Sequence, residues 1–363
     1  MKDKKILSSI ILLASALALQ LAARCISGFG EWYGRRVYPL LVRSFGLFFG
    51  RLPFSVSEWG LYLLLLAGLW YKIAWIFRCV RREETWRRCL KDLAGTSLLA
   101  AALLVCVYTV NCGVNYYRQP FSSYLDLEIR ESSVEELEQL CAFLAEQVQE
   151  TSQELKDRQG TIQPDGAARA GFPQQARADM AALGQRYPQL SGYYPLPKPV
   201  ALSQILSVQS LSGVYSPFTI EANYNDDMTA YNIPHTACHE LSHLKGFMRE
   251  EEANFIGYLA CIGSESAYSR YSGYLSGFIY ADNALYRQDP ERAAQLQAGL
   301  PQEVRQDMQA NNAFWKRYEG RVSEAATRVN DTYLKVNSQA EGVKSYGRVV
   351  DLMLAYHRRE PGT

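Results

Sequence analysis

The sequence predicts a mainly α-helical chain, with an N-terminal three-helix transmembrane region followed by a mostly helical α+β soluble domain that holds a small sheet. Three apolar runs within the first 110 residues, of which only the second contains a charged residue, are the first observation behind this prediction. Residues 1–113 carry 15 Lys and Arg against 6 Asp and Glu, whereas the remaining 250 residues carry 23 against 31. Apolar residues at helical spacing then recur through much of the C-terminal half. We place the two regions at residues 1–115 and 116–363.

The predicted spans cover residues 6–23, 60–76 and 93–110. The first run follows three lysines, so a cleaved signal peptide is an alternative to a first transmembrane helix. Trp59 and Trp75 flank the second run and Tyr108 lies near the end of the third, as expected for residues at a membrane interface. The lipid bilayer is therefore a predicted partner of this half.

Positive charges are unevenly distributed between the two sides of the predicted spans. The N-terminal lysines and the loop between spans two and three hold nine Lys and Arg, against five between spans one and two. The positive-inside rule then places the N-terminus in the cytoplasm and the C-terminal domain outside. Because the basic residues lie among apolar spans, nucleic acid is not expected as a partner.

The soluble half begins with the capping-box pattern Ser133-x-x-Glu136, which predicts the start of a helix. Residues 214–224 are rich in β-forming residues, and residues 218–224 alternate as in a strand with one buried face. We expect this strand to form the sheet edge along which an extended peptide pairs.

Chemistry is indicated by His239-Glu240-Leu-Ser-His243, the pattern H-E-x-x-H. Pro234 suits the first turn of a helix and Gly246 suits its C-terminal end. Within that helix His239 and His243 lie on one face, so two imidazole nitrogens can bind one zinc ion. Glu240, beside the first ligand, is placed to polarise a water molecule.

A third metal ligand is expected after Gly246, where residues 250–252 are all glutamates. Glu250 and Asn254 share one helix face, so Glu250 would complete the ligand set while Asn254 would bind a ligand histidine. Glu252 is the alternative ligand, and an acidic first turn that only complements the helix dipole is a further interpretation. Arg249 stands where a metzincin has its third histidine, which excludes that class.

His239-Glu-Leu-Ser-His243 with Glu250-x-x-Ala-Asn254 resembles the gluzincin metallopeptidases, in which this glutamate is the third zinc ligand. The chain is also similar, over nearly its full length, to an uncharacterised bacterial membrane-protein family with three N-terminal spans and a zincin-like domain. The segments that carry this similarity are 217–223, 239–259, 330–335 and 345–348. The resemblance implies a zincin-like fold and Zn²⁺ as cofactor, but it supplies no substrate.

We therefore expect a membrane-anchored zinc metalloendopeptidase that hydrolyses peptides or proteins outside the cytoplasmic membrane. Glu240 would be the general base, and Tyr346 is the first choice for stabilising the oxyanion. His235, one turn before His239, either packs at the helix start or lines the cleft.

Two other functions compete with this one. An intramembrane protease is excluded because no 18-residue apolar run includes the H-E-x-x-H segment. A zincin-like sensor or scaffold, which binds zinc and signals through the spans without cleaving anything, is the alternative from another functional class. The presence of Glu240 favours the enzyme, since a binding-only site has no need of a general base.

Overall fold

The computed structural model describes residues 2–81, 85–337 and 348–359. The chain is mostly helical and divides into two compact units. The N-terminal unit comprises Met1–Arg118 with Ser216–Glu221, and the C-terminal unit comprises Gln119–Tyr215 with Ala222–Thr363. The predicted fold class, mainly helical with three apolar N-terminal helices and a small sheet, is confirmed.

Three long apolar helices dominate the N-terminal unit, and each contains one of the predicted spans. The helices of this unit are α1 (Lys2–Cys25), α2 (Phe29–Arg36), α3 (Tyr38–Phe49), α4 (Val56–Val80) and α5 (Trp86–Asn111). The 25 residues of α4 extend about 37 Å at 1.5 Å per residue, more than the ~30 Å of a bilayer's hydrocarbon core. Helices α1, α4 and α5 are thus long and apolar enough to cross a membrane.

The short segment Ser216–Glu221 belongs to the N-terminal unit through polar contacts with the ends of two of these helices. The Glu221 carboxylate accepts hydrogen bonds from the backbone N–H groups of Val56 and Ser57, at 3.2 and 2.8 Å. The Asn111 side chain donates to the carbonyl of Pro217 at 2.6 Å. Glu221 therefore satisfies free N–H groups in the first turn of α4, where negative charge is favourable.

Among the residues that the structure describes, the C-terminal unit contains ten α-helices and most residues of three short strands. The helices are α6 (Val134–Gln159), α7 (Gly166–Arg186), α8 (Ser203–Val208), α9 (Asn232–Leu244), α10 (Glu250–Ile262), α11 (Ala267–Gln288), α12 (Pro290–Gly299), α13 (Gln302–Lys316), α14 (Arg321–Val336) and α15 (Arg348–Arg359). Helices α9, α10 and α11 pack against one another, and α6 packs against α11. The predicted capping box at Ser133 and Glu136 is present at the start of α6.

The sheet differs from the predicted single strand over residues 214–224. It contains β1 (Lys198–Pro199), β2 (Gly213–Ser216) and β3 (Glu221–Tyr224), in the order β1-β3-β2, with β1 parallel to β3. A turn at residues 217–220 separates β2 from β3, and Ile220 adopts a positive φ of 52° that no extended strand contains. All four residues of β3 are buried, so the predicted alternation is also wrong.

The prediction that the strand ending near Tyr224 is an edge strand is wrong as well. β3 lies between the other two strands, because the turn folds the chain back and pairs β2 with it. Among the described residues, an edge of the sheet is formed by β2 instead. The β-forming composition of residues 214–224 thus indicated the sheet but not the turn within it.

Helices α9 and α10 approach closely at Gly257, in the second half of α10. A Cβ atom at this position would lie 3.2 Å from both the carbonyl oxygen of His235 and the backbone nitrogen of His239. These backbone atoms belong to α9 and cannot rotate away as a flexible side chain would. Glycine at position 257 therefore sets the spacing of the two helices.

Replacing Gly257 by leucine should separate α9 from α10, since the added side chain meets backbone atoms. We expect Gly257→Leu to lower the free energy of unfolding by about 2 kcal/mol, measured by thermal unfolding of the purified full chain in detergent. Gly171→Ala is the control, because a Cβ at this position of α7 meets nothing within 4 Å and alanine favours helix. An unchanged melting temperature for Gly257→Leu would contradict this account of the packing.

Candidate metal centre

Helix α9 carries the H-E-x-x-H residues as predicted. Pro234 lies in its first turn, and Gly246, just beyond its end, adopts a left-handed φ of 88° that suits glycine. His239 and His243 project from the same face, and their Nε2 atoms lie 3.0 Å apart. Both side chains are largely buried, with 12% and 9% of their surface exposed.

Helix α10 begins at Glu250, and the Glu250 carboxylate lies next to the two histidines. One carboxylate oxygen lies 3.4 Å from His239 Nε2 and the other lies 3.5 Å from His243 Nε2. Ligand atoms about 2.1 Å from one tetrahedral metal ion are about 3.4 Å apart, so these separations fit a shared ion. Among the residues that the structure describes, these three form the one such group of His, Cys, Asp or Glu.

The rival ligand Glu252 faces away from this group. Its carboxylate is 5% exposed and accepts a hydrogen bond from the backbone N–H of Phe121 at 2.9 Å. Residues two apart on a helix point to different sides, so only one of the two glutamates can face the histidines. The structure thus groups Glu250, and not Glu252, with His239 and His243.

The Nδ1 atom of each ligand histidine lies within hydrogen-bond distance of an oxygen atom. His243 Nδ1 lies 2.8 Å from the carbonyl oxygen of Phe247, and His239 Nδ1 lies 2.8 Å from the Oδ1 atom of Asn254. Because these oxygens accept hydrogen bonds from Nδ1–H, the Nε2 atom of each imidazole is the one that faces the other ligands and can bind a metal ion. The sequence predicted the contact of Asn254, whereas the Phe247 carbonyl had no signal in the side-chain pattern.

Without a metal ion, His243 is protonated and lies beside the ionised carboxylate of Glu250. Burial alone would lower the pKa of His243, but the Glu250 carboxylate outweighs burial and raises it to about 9. Burial likewise opposes ionisation of Glu250, yet the adjacent histidines hold the pKa of its carboxyl well below the usual range. A divalent cation bound here would replace that proton and be bound by the same carboxylate.

Glu240, next to His239 on α9, lies against β2. Its carboxylate accepts a hydrogen bond from the backbone N–H of Tyr215, and a Cβ on Gly213 would come within 2.5 Å of its Oε1 atom. Its Oε2 atom is buried and has no hydrogen-bond partner in the part of the chain that the structure describes. Burial raises the pKa of Glu240 to about 7, although the charges of the two histidines oppose the rise. Its carboxyl is therefore poised to exchange a proton near neutral pH.

His235 stands apart from the ligand group. His235 is 5% exposed, its ring lies 3.2 Å from the carbonyl oxygen of Asn254, and its backbone N–H donates to Ser272. Burial lowers the pKa of His235 to about 4, so the ring is neutral and packs where α9 meets α10 and α11. Tyr346 lies outside the described residues, and its role stays a prediction.

The chain matches the model of a known protein family. A family model described as "Protein of unknown function (DUF3810)" matches residues 33–354, which include the second and third apolar helices as well as the metal-ligand group. Neither a curated protein nor a solved structure matches the chain significantly.

Exchanging the two rival glutamates for glutamine separates their roles. Glu250→Gln should weaken Zn²⁺ binding by more than about 100-fold, because the amide carries no negative charge to the ion. Glu252→Gln should bind Zn²⁺ as the wild type does, since its amide oxygen can still accept the hydrogen bond from Phe121. Competition with a chromophoric chelator measures both affinities, and equal losses in the two variants would contradict the assignment.

Proposed function

The chain belongs to the family of proteins of unknown function DUF3810, and we propose that it is a membrane-anchored zinc metalloendopeptidase. The proposal rests on one observation: His239, His243 and Glu250 bring three ligand atoms together beside the buried carboxylate of Glu240. The Oε2 atom of Glu240 has no hydrogen-bond partner among the described residues. Two imidazoles and a carboxylate are a ligand set typical of catalytic zinc, because three protein ligands leave one position open. A bound zinc ion would supply Lewis acidity and lower the pKa of a water molecule in the open position.

Glu240 supports hydrolysis rather than binding alone. It follows His239 directly in α9, so it lies beside the ligand group without belonging to it. A carboxylate with a pKa near 7 can take a proton from the attacking water and deliver it to the leaving amine. A site that only binds zinc would gain nothing from burying this carboxyl group.

Strand β2 offers a surface for an extended substrate. Its Gly213 and Tyr215 lie against Glu240, and the ring of Tyr215 lies 6.5 Å from that of His243. A peptide that adds to this edge would therefore place its backbone near the proposed general base. We propose a peptide or protein substrate for this reason, with Tyr346 remaining the proposed oxyanion stabiliser.

The three apolar helices support anchorage in a bilayer. The positive charges before the first span and between the second and third favour a cytoplasmic location for these segments. An odd number of spans then places the C-terminal unit outside the cytoplasmic membrane. Hydrolysis would act on peptides or proteins there.

Glu240→Gln tests the proposed chemistry against the alternative of a non-catalytic zinc-binding sensor or scaffold. The variant should keep its zinc and lose hydrolysis of a quenched-fluorescence peptide library by about 10²- to 10⁴-fold, since glutamine cannot take up the proton. Glu265→Gln, at an exposed position after α10, is the matched control and should retain full activity. Wild-type protein that binds zinc but cleaves no peptide, or a Glu240→Gln variant with full activity, would favour the sensor.

Reporter fusions test the proposed orientation. Alkaline phosphatase fused after residue 363 should be active and green fluorescent protein at the same point should be dark, because the junction lies outside the cytoplasm. The same two reporters fused after residue 81, at the end of α4, should give the reverse result. A fluorescent C-terminal fusion would refute the orientation and leave the metal site unaffected.

A further inference from the structure

The Oδ1 atom of Asn254 is shared by two donors from two other helices. It lies 2.8 Å from Nδ1 of the ligand His239 on α9 and 3.2 Å from the hydroxyl of Tyr280 on α11. Asn254 itself is on α10 and is 4% exposed. Its Nδ2 atom is buried without a hydrogen-bond partner among the described residues. One atom therefore joins the three helices around the ligand group.

The orientation of this amide decides which nitrogen of His239 carries the proton. With the oxygen towards the ring, Nδ1 donates and the Nε2 lone pair is available to a metal ion. Rotated by half a turn, the amide nitrogen would donate to Nδ1, and the neutral ring would carry its proton on Nε2. That tautomer cannot bind a metal ion through Nε2.

We propose that Tyr280 is a positioning residue that holds the Asn254 amide in the orientation that lets His239 bind a metal ion. In the observed orientation the Tyr280 hydroxyl donates to the same oxygen as His239. After a half turn it would face an N–H donor, and its own hydrogen would lose this acceptor. The Tyr280 hydroxyl thus favours the competent orientation over the rotated one. The inference rests on the metal site of the proposed function and adds a residue that the H-E-x-x-H pattern does not contain.

The surroundings hold the other parts of this arrangement in place. The backbone carbonyl of Asn254 lies 3.2 Å from the His235 ring nitrogen, and the Tyr280 ring packs 6.1 Å from the His235 ring. His235 therefore contacts both the backbone of Asn254 and the ring of Tyr280. The amide group can still rotate about the last bond of the Asn254 side chain, and the hydrogen bond from the Tyr280 hydroxyl opposes this rotation.

The test is Zn²⁺ affinity of the full chain in detergent, measured by competition with a chromophoric chelator, for Tyr280→Phe in two backgrounds. With Asn254 present, Tyr280→Phe should raise the Zn²⁺ dissociation constant about tenfold, as is typical for outer partners of metal ligands. In the Asn254→Asp background the same change should have less than about a twofold effect, because both carboxylate oxygens accept and a half turn exchanges nothing. Tyr286→Phe, at an exposed position on the same helix, should match the wild type.

The outcomes separate this inference from the proposed function. Wild-type Zn²⁺ affinity for Tyr280→Phe would overturn the positioning role. An equal loss of affinity in both backgrounds would overturn it as well, because a packing defect does not depend on residue 254. Melting temperatures measured in chelator should agree among the variants, and a lower value for Tyr280→Phe with the same loss in both backgrounds identifies a packing role. If the wild type binds no Zn²⁺, the metal site and the inference fail together. If it binds Zn²⁺ but cleaves nothing, only the peptidase proposal fails.

Discussion

The candidate centre depends on how closely two helices approach. Helix α9 supplies two imidazoles from successive turns, but the third donor comes from the first residue of α10. Its carboxylate reaches both Nε2 atoms at 3.4–3.5 Å, near the ~3.4 Å that tetrahedral coordination requires. The glycine at position 257 permits that approach, because any side chain there would meet the backbone of α9. The geometry of the ligand group is thus a consequence of packing and not only of the motif.

Burial makes the same arrangement costly without a cation. Two imidazoles and two carboxyl groups lie together at the junction of α9, α10 and β2, and desolvation acts against ionisation of both Glu240 and Glu250. The charge of the ionised Glu250 raises the pKa of His243 to about 9, whereas burial raises the pKa of Glu240 to about 7. Partners on Nδ1 of both histidines orient their rings before any ion binds. A preorganised ligand set beside an ionisable carboxyl is the combination that hydrolytic zinc sites require.

The sequence predicted much of this because the decisive signals are local. Long apolar runs identify the three candidate membrane helices, and a spacing of four residues on a helix brings His239 and His243 together whatever surrounds them. The choice of Glu250 over Glu252 followed from the face it shares with Asn254, and the structure groups the same residue with the histidines. Tyr280 had no comparable signal, since its contact with Asn254 depends on how α11 packs, 26 residues further along the chain. The strand prediction was wrong because composition does not reveal the turn at residues 217–220. Ile220 adopts a positive φ there, although isoleucine is not one of the residues that typically indicate a turn.

X-ray absorption spectroscopy at the zinc edge, on the full chain purified in detergent, tests the central claim most directly. One zinc per chain should show only nitrogen and oxygen neighbours at about 2.0–2.1 Å, with the outer-shell scattering of two imidazole rings. Substituting both His239 and His243 by alanine should abolish that spectrum. A sulfur neighbour at about 2.3 Å, an unchanged spectrum in the double variant, or a wild-type chain that takes up no zinc would contradict the account.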